Sequence, residues 1–469
     1  MSGLAHSPSS PAVSLREADA TRALAGELRG WAWIAVGALA VAGVFALLLA
    51  LSRVPGMDKA PLWPIDFFYK GLVIHVIFSL VIWLVGVFAF LTTGATREAA
   101  GEAPRARPLG RIGQAIVLVA FPCLFAPVFL DATQQELTNY VPLLRHPAYE
   151  LGLVLLALGA LAPVVRLFLN LPGQRSLSAL TLAMAVGGFV YVLALVSFVA
   201  AGALLDERGA LGSERELLFW GGGHLLQFVY AIVLLTNWRL LASRGLGEAA
   251  VPDRAFRAAV GFMGLLAIPG PLFYMVFAPF SEAQHAAFRF LQFGVAVPTL
   301  LFAVALLQRA RASRGGAGWP WRDPAFFTLA ASLALFALGG VMGFLITGSD
   351  TRTPAHYHAV VTAVSVSSAG MLLTFGLDAL RLPPVPARAV RWLIGLYAGG
   401  QFVASIGMFV AGGYGAMRKT PSGVGALDPV AAAGMAVHGM ASIVTILGGA
   451  AFVVIAIRAL ARPRLVAAR

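Results

Sequence analysis

Charge is scarce in this sequence. Only 12% of its 469 residues are Asp, Glu, Lys or Arg, about half the share of an average soluble domain, and this excludes a solvated surface over most of the chain. Cysteine is scarcer still. The single one, Cys123, excludes an intrachain disulfide and any cysteine-based metal cluster. No internal repeat is found, which argues against a solenoid or an array of modules.

Apolar residues fill the space that charge leaves. They make up 59% of the chain, and mean hydropathy is +0.83. A run of about 20 apolar residues crosses a bilayer. Twelve such runs follow one another, at 31–52, 70–94, 112–130, 149–170, 178–204, 216–238, 257–280, 286–308, 325–347, 356–380, 390–415 and 431–458. The expectation is an all-α integral membrane protein of twelve transmembrane helices within residues 31–460. A polar tail at 1–30 precedes them and a basic tail at 461–469 follows. The first 30 residues lack the apolar core of a signal peptide, so helix 1 is expected to be retained.

The net charge is +13, and in such a chain it speaks to topology before nucleic acid. The N-terminal tail, the even-numbered loops and the C-terminal tail together hold 24 of the 34 Lys and Arg residues. The positive-inside rule therefore predicts both termini in the cytoplasm, in a lipid bilayer and with no nucleic-acid partner.

Eight histidines are present. His6 falls in the tail, and His146 and His285 fall in or near loops. His75, His224, His356, His358 and His438 fall inside predicted spans, each toward the N-terminal end of an even-numbered helix. If the N-terminus is inside, those ends face outward, and the five gather in one layer roughly 5–15 Å below the outer surface at 1.5 Å per residue. Imidazole in hydrocarbon needs a partner, and a metal is the commonest that rewards it. The segment TRTPAHYHAVVTAV carries two of them, at i and i+2. Such residues stand about 200° apart on a helix, so they cannot share one metal but can serve one each on opposite flanks. Two hemes standing on either side of helix 10 satisfy that geometry, with His75 on helix 2 as a second axial ligand for one of them.

These segments resemble subunit I of the heme-copper oxidase superfamily, which includes cytochrome c oxidase and the large subunit of nitric oxide reductase. TRTPAHYHAVV is similar to its helix 10, KGLVIHVIFSLVIW to its helix 2, FWGGGHLLQFVY to its helix 6, and GGYGAMRKTPSG to the Gly-rich loop between helices 11 and 12. The resemblance implies a twelve-helix bundle with both termini inside, and two hemes, expected to be b-type. It implies that His75 and His358 ligate a low-spin heme and His356 a high-spin heme. It further implies that His224 faces that heme as a ligand of a second metal, copper or non-heme iron. Arg418 and Lys419 would meet heme propionates by charge-assisted hydrogen bonds. An electron-donor subunit or cytochrome c on the outer face, O2 or NO as the diatomic ligand, and the inner membrane of a bacterium complete the expectation.

The pattern departs from the family at the second metal. The family's histidine pair on helix 7 maps near Phe273 and Tyr274, and its helix-6 tyrosine maps to Phe228, with Tyr230 and Tyr274 as substitutes. The polar residue nearest the carboxylate of nitric oxide reductases is Gln227, a poor ligand. One imidazole does not hold copper firmly. His285, in the short loop or first turn of helix 8, reads as an interfacial residue that would replace a ligand only if the loop folds inward, and His438 as packing or a partner of a ligand or propionate. Glu150 and Asp378 lie near helix ends, so proton pumping is not expected. The alternatives are a non-catalytic heme sensor or electron-transfer protein, and a twelve-helix secondary transporter. The latter expects a midplane site and internal symmetry that this sequence lacks.

Overall fold

The computed structural model describes the chain apart from residues 1–10, 52–66, 102–103, 131–132, 139–140, 213, 347, 349, 419–426 and 464–469. Twelve helices are long and apolar enough to cross a membrane. They are α1 (Leu24–Ala50), α2 (Phe68–Ala100), α3 (Arg107–Phe129), α4 (Pro147–Leu169), α5 (Ala179–Glu207) and α6 (Arg215–Leu246). The remainder are α7 (Asp253–Val276), α8 (Glu282–Arg314), α9 (Pro324–Phe344), α10 (Arg352–Ala379), α11 (Ala387–Gly413) and α12 (Pro429–Ala461). Each coincides with one of the twelve apolar runs.

Their starts carry local chemistry that explains them. Pro at the first turn needs no hydrogen-bond partner for its nitrogen, and α4, α9 and α12 all begin that way. Asp323 Oδ1 accepts from the amide of Phe326 at 2.8 Å, and Asp428 Oδ1 from that of Val430 at 2.8 Å. Both are N-cap bonds. Between α3 and α4 a short antiparallel hairpin pairs β1 (Gln134–Glu136) with β2 (Leu143–Arg145).

Neighbours in sequence are neighbours in space: α3 packs on α4, α5 on α6, α7 on α8, α9 on α10 and α11 on α12, while α1 also packs on α12. In lipid no hydrophobic force draws helices together, so close approach depends on small residues. Where α11 crosses α12, a Cβ placed on Gly407 would stand 2.6 Å from the carbonyl oxygen of Gly434 and 2.8 Å from the amide of His438.

The first helix differs from its sequence expectation. It begins at Pro11, and its apolar membrane-length part begins at Leu24 and not at 31. Glu27 and Arg29 make that segment read as polar, yet Glu27 is buried. Its carboxylate accepts from the two terminal guanidinium nitrogens, Nη1 and Nη2, of Arg166 on α4 at 2.5 Å each, and from Thr93 Oγ1 on α2 at 3.3 Å. Gln114 on α3 donates to the Glu27 carbonyl at 2.6 Å. Four helices are thus tied together at one end of the bundle.

The interior belongs to three helices. In their most apolar stretches α10 is 83% buried within the protein, α2 72% and α6 61%, against 17% for α12. α10 packs against α6, α9 and α11, and α2 against α1.

Candidate functional site

The three most buried helices carry His75, His224, His356 and His358. Consecutive spans alternate in direction, so the N-terminal ends of α2, α6, α10 and α12 share one face of the bundle. The histidines lie within the first ten residues of these helices.

Hydrogen bonding orients the rings. His75 Nδ1 bonds the carbonyl of Ala42 on α1 at 3.0 Å. His224 Nδ1 bonds the Trp220 carbonyl one turn earlier at 2.7 Å. His356 Nδ1 bonds the Gly339 carbonyl on α9 at 2.7 Å, and His438 Nδ1 that of Ala404 on α11 at 3.2 Å. A carbonyl can only accept, so each Nδ1 carries the proton and donates it. In the neutral ring the lone pair then resides on Nε2. This is the arrangement by which an outer hydrogen bond fixes the tautomer and direction of a metal-binding imidazole.

The surroundings of His75 fit a large flat ligand. Phe68, Leu72, His75, Val76, Ser79 and Leu80 recur at helical spacing and are only half-buried, whereas Val73, Ile74, Ile77 and Phe78 on the other faces are fully buried. One face of α2 therefore borders space that protein side chains do not fill. A π-helical turn, Ile77–Ile82, begins two residues beyond His75. Such turns insert an extra residue and re-aim what precedes and follows them, and they concentrate at functional sites. On α10, His356 and His358 are also half-buried, and the His358 ring lies 5.2 Å from that of Tyr357. Room for His356 is made by small residues on α9, since a Cβ on Gly343 would stand 2.9 Å from its Nδ1. These imidazoles and their open faces fit heme iron ligation.

The end of α10 is anchored to the segment that follows α11. Asp350 forms a β-bridge with Met417, the amide of Thr351 bonds the Ala416 carbonyl at 3.0 Å, and Thr351 Oγ1 bonds the Met408 carbonyl at 2.9 Å. This places Arg418, adjacent to Met417, by the first turn of α10. Lys419 lies outside the described residues. Asp350 and Arg352, which sequence reading missed, form a bidentate pair with a shortest contact of 2.7 Å. The Arg352 guanidinium holds the Asp350 carboxyl below the usual carboxylate range. An Asp-x-Arg spacing just before the two histidines is the signal that could have found the pair.

The second-metal half is built differently. Among the described residues no group of three or more His, Cys, Asp or Glu side chains could hold a metal ion. His224 is 1% exposed, and its ring contacts are aromatic: Trp220 at 4.9 Å and Phe288 of α8 at 5.7 Å between centroids. Phe288 in turn lies 5.1 Å from Phe273 and 5.7 Å from Tyr274, the two positions where a histidine pair was sought. Gly221 and Gly222 make room for this packing, against Tyr274 and Phe288 on one side and Phe198 on the other. These residues do not fit a copper site. His285 stands in the first turn of α8, one of the two places its sequence position allowed, with its ring 4.8 Å from that of Trp220. The sequence carried no sign that α8 would fold back over α6.

Comparison with known proteins gives the context. Residues 28–450 match the profile of a protein family described as Cytochrome C and Quinol oxidase polypeptide I. The chain is 29% identical to an uncharacterized protein of Aquifex aeolicus (strain VF5), over 72% of this chain and 81% of that one. It is 23% identical to an uncharacterized protein of Rickettsia prowazekii (strain Madrid E), over 90% of this chain and 94% of the other. Among solved structures, a heme-copper terminal oxidase dimer determined by cryo-EM has a similar fold, with a TM-score of 0.79 at 18% identity, covering 94% of this chain and 85% of that chain.

Proposed function

The chain belongs to the Cytochrome C and Quinol oxidase polypeptide I family, and from that premise we propose that it is a diheme membrane subunit. It would accept electrons on the periplasmic side and present a high-spin heme to O2 or NO. The observation that carries this reading is the set of imidazoles on α2 and α10, two of them with Nδ1 held by a backbone carbonyl and Nε2 left as the ligating atom. His75 and His358 would hold a low-spin heme, and His356 would hold a high-spin heme on the opposite flank of α10. When bound, the two hemes supply one-electron transfer and an iron that takes a diatomic ligand. The chain's own residues set the geometry. The Ala42 and Gly339 carbonyls hold the ring planes, and the clamp of Asp350, Thr351 and Met417 fixes the first turn of α10. Arg418, with Lys419, offers cations to the propionates near that turn.

In this reading both termini are cytoplasmic, as the charge distribution favours, and the membrane is a bacterial inner membrane. The electron donor is a partner subunit or a cytochrome c, and the hemes are b-type. A second reading, a heme sensor or electron carrier without turnover, is favoured by one observation, the absence of a three-ligand metal cluster among the described residues.

The test is optical. His75→Ala and His358→Ala should each abolish the low-spin bands of the reduced protein while part of the high-spin heme remains. Normal low-spin bands in either variant would refute the ligand pair.

A further inference from the structure

The end of the bundle opposite the histidine layer carries most of the chain's positive charge, and several arginines there have partners within the chain. Arg166 pairs with Glu27, Arg239 and Arg257 with Asp253, and Arg244 with Asp378. Arg105, Arg107 and Arg111, around the start of α3, are exposed, and among the described residues their side chains meet no carboxylate and no other acceptor.

Intrachain electrostatics disfavours this arrangement. Arg107 and Arg111 stand one turn apart on one face of α3, and a like-charged pair at that spacing destabilises a helix. The beginning of a helix is its positive end, where cations are unwelcome, and this one has no acidic residue in its first turn and no side-chain cap. The backbone nevertheless holds the set in place. The Arg105 amide donates to Asn170 Oδ1 at 2.7 Å, and Asn170 Nδ2 donates to the carbonyls of Arg105 at 3.3 Å and Arg166 at 2.7 Å. Ala106, between two of the arginines, has φ 55°, in the left-handed region that favours glycine. Such a conformation persists only where the surroundings over-determine it.

Beyond the arginines α3 turns an apolar face outward. Gly113, Val117 and Ala120 are buried against the bundle, whereas Ala115, Leu118 and Val119 are exposed, Leu118 at 57%. Arg107, Arg111, Ala115 and Leu118 recur at helical spacing, so the cationic pair crowns a stripe that faces hydrocarbon. A guanidinium presents a planar fork that matches two phosphate oxygens, and basic clusters at the end of a membrane-spanning helix attract anionic lipid. We propose that this end of α3 binds the phosphate of an anionic phospholipid, gripped by Arg107 and Arg111 with Arg105 beside them, and that an acyl chain lies along Ala115, Leu118 and Val119. The phosphate removes the repulsion among the arginines, and the apolar stripe distinguishes a lipid from a free anion. The site is independent of the heme assignment.

The experiment uses the full chain in zwitterionic detergent, titrated with phosphatidylglycerol or with phosphatidylcholine of the same acyl chains. Native mass spectrometry reads binding and thermal unfolding reads stability. The wild type should bind phosphatidylglycerol the more tightly and unfold at higher temperature in its presence. The Arg107→Gln/Arg111→Gln variant should bind it roughly thirtyfold more weakly. Without lipid that variant should unfold at the wild-type temperature or above, because the repulsion is gone. Arg107→Lys/Arg111→Lys, which keeps the charge and loses the fork, should bind with intermediate affinity. Arg311→Gln/Arg388→Gln, the same charge change at two other exposed arginines of this end, should bind as the wild type does. Equal affinity for the two lipids, or equal losses in the two glutamine variants, would overturn the site. Displacement of phosphatidylglycerol by inorganic phosphate would overturn the lipid as its occupant. Earlier unfolding of Arg107→Gln/Arg111→Gln in the absence of lipid would make the arginines structural and overturn the proposal as well.

Discussion

At the scale of single residues, the histidines on helices 2, 6, 10 and 12 were legible because hydrocarbon makes an imidazole conspicuous. What could not be read was which nitrogen each ring leaves outward. That depends on carbonyls of neighbouring helices, Ala42 for His75 and Gly339 for His356, 33 and 17 residues away in sequence. That His285 packs on Trp220 was not legible either, since the two are remote in sequence. The buried pair of Glu27 and Arg166 was also missed. Arg166 inside an apolar run is the sign of a partnered intramembrane charge, but its partner lay in a segment that reads as a tail. Breaking a buried pair strands the surviving charge at about 3–5 kcal/mol, whereas removing both partners is far milder. Arg166→Met and Glu27→Gln should therefore each lower the unfolding temperature of the detergent-solubilised protein sharply, and the double variant should recover much of the loss. Additive losses in the double variant would contradict the pairing.

At the scale of elements, all twelve helices were visible in the sequence, since the length of apolar run needed to span a bilayer does not depend on tertiary context. Their ends were less legible. α1 reaches upstream of residue 31 because Glu27 there is satisfied by Arg166, a partner no local pattern reveals, and α8 starts at Glu282, behind its Ser281 cap. The π-helical turns at Ile77–Ile82 and Leu372–Gly376 leave no compositional mark either. The crossing of α11 and α12 tests the small-residue account of packing. Gly407→Ala puts a methyl group 2.6 Å from a backbone oxygen, and relief requires the helices to part. Overpacking of this kind costs about 1–3 kcal/mol. Thermal unfolding followed by a probe on α12 should show the loss, and an unchanged midpoint would contradict the close approach of the two helices at Gly407.

At the scale of the whole molecule, the chain is a twelve-helix member of the Cytochrome C and Quinol oxidase polypeptide I family and has the fold of a heme-copper terminal oxidase. The helices that the family resemblance assigns to the hemes, α10 and α2, are the two most buried, and α6, assigned to the second metal, is the third. The helix-7 region that would complete a second metal is filled by Phe273 and Tyr274. The central claim is that two hemes stand on the flanks of α10. The most direct measurement is the visible spectrum of the purified wild-type chain, oxidised and reduced, combined with heme quantification. The account predicts sharp reduced α and β bands from a bis-histidine heme, a second heme whose spectrum responds to carbon monoxide, and two hemes per chain. A colourless protein, or one whose heme shows no low-spin bands on reduction, would contradict it.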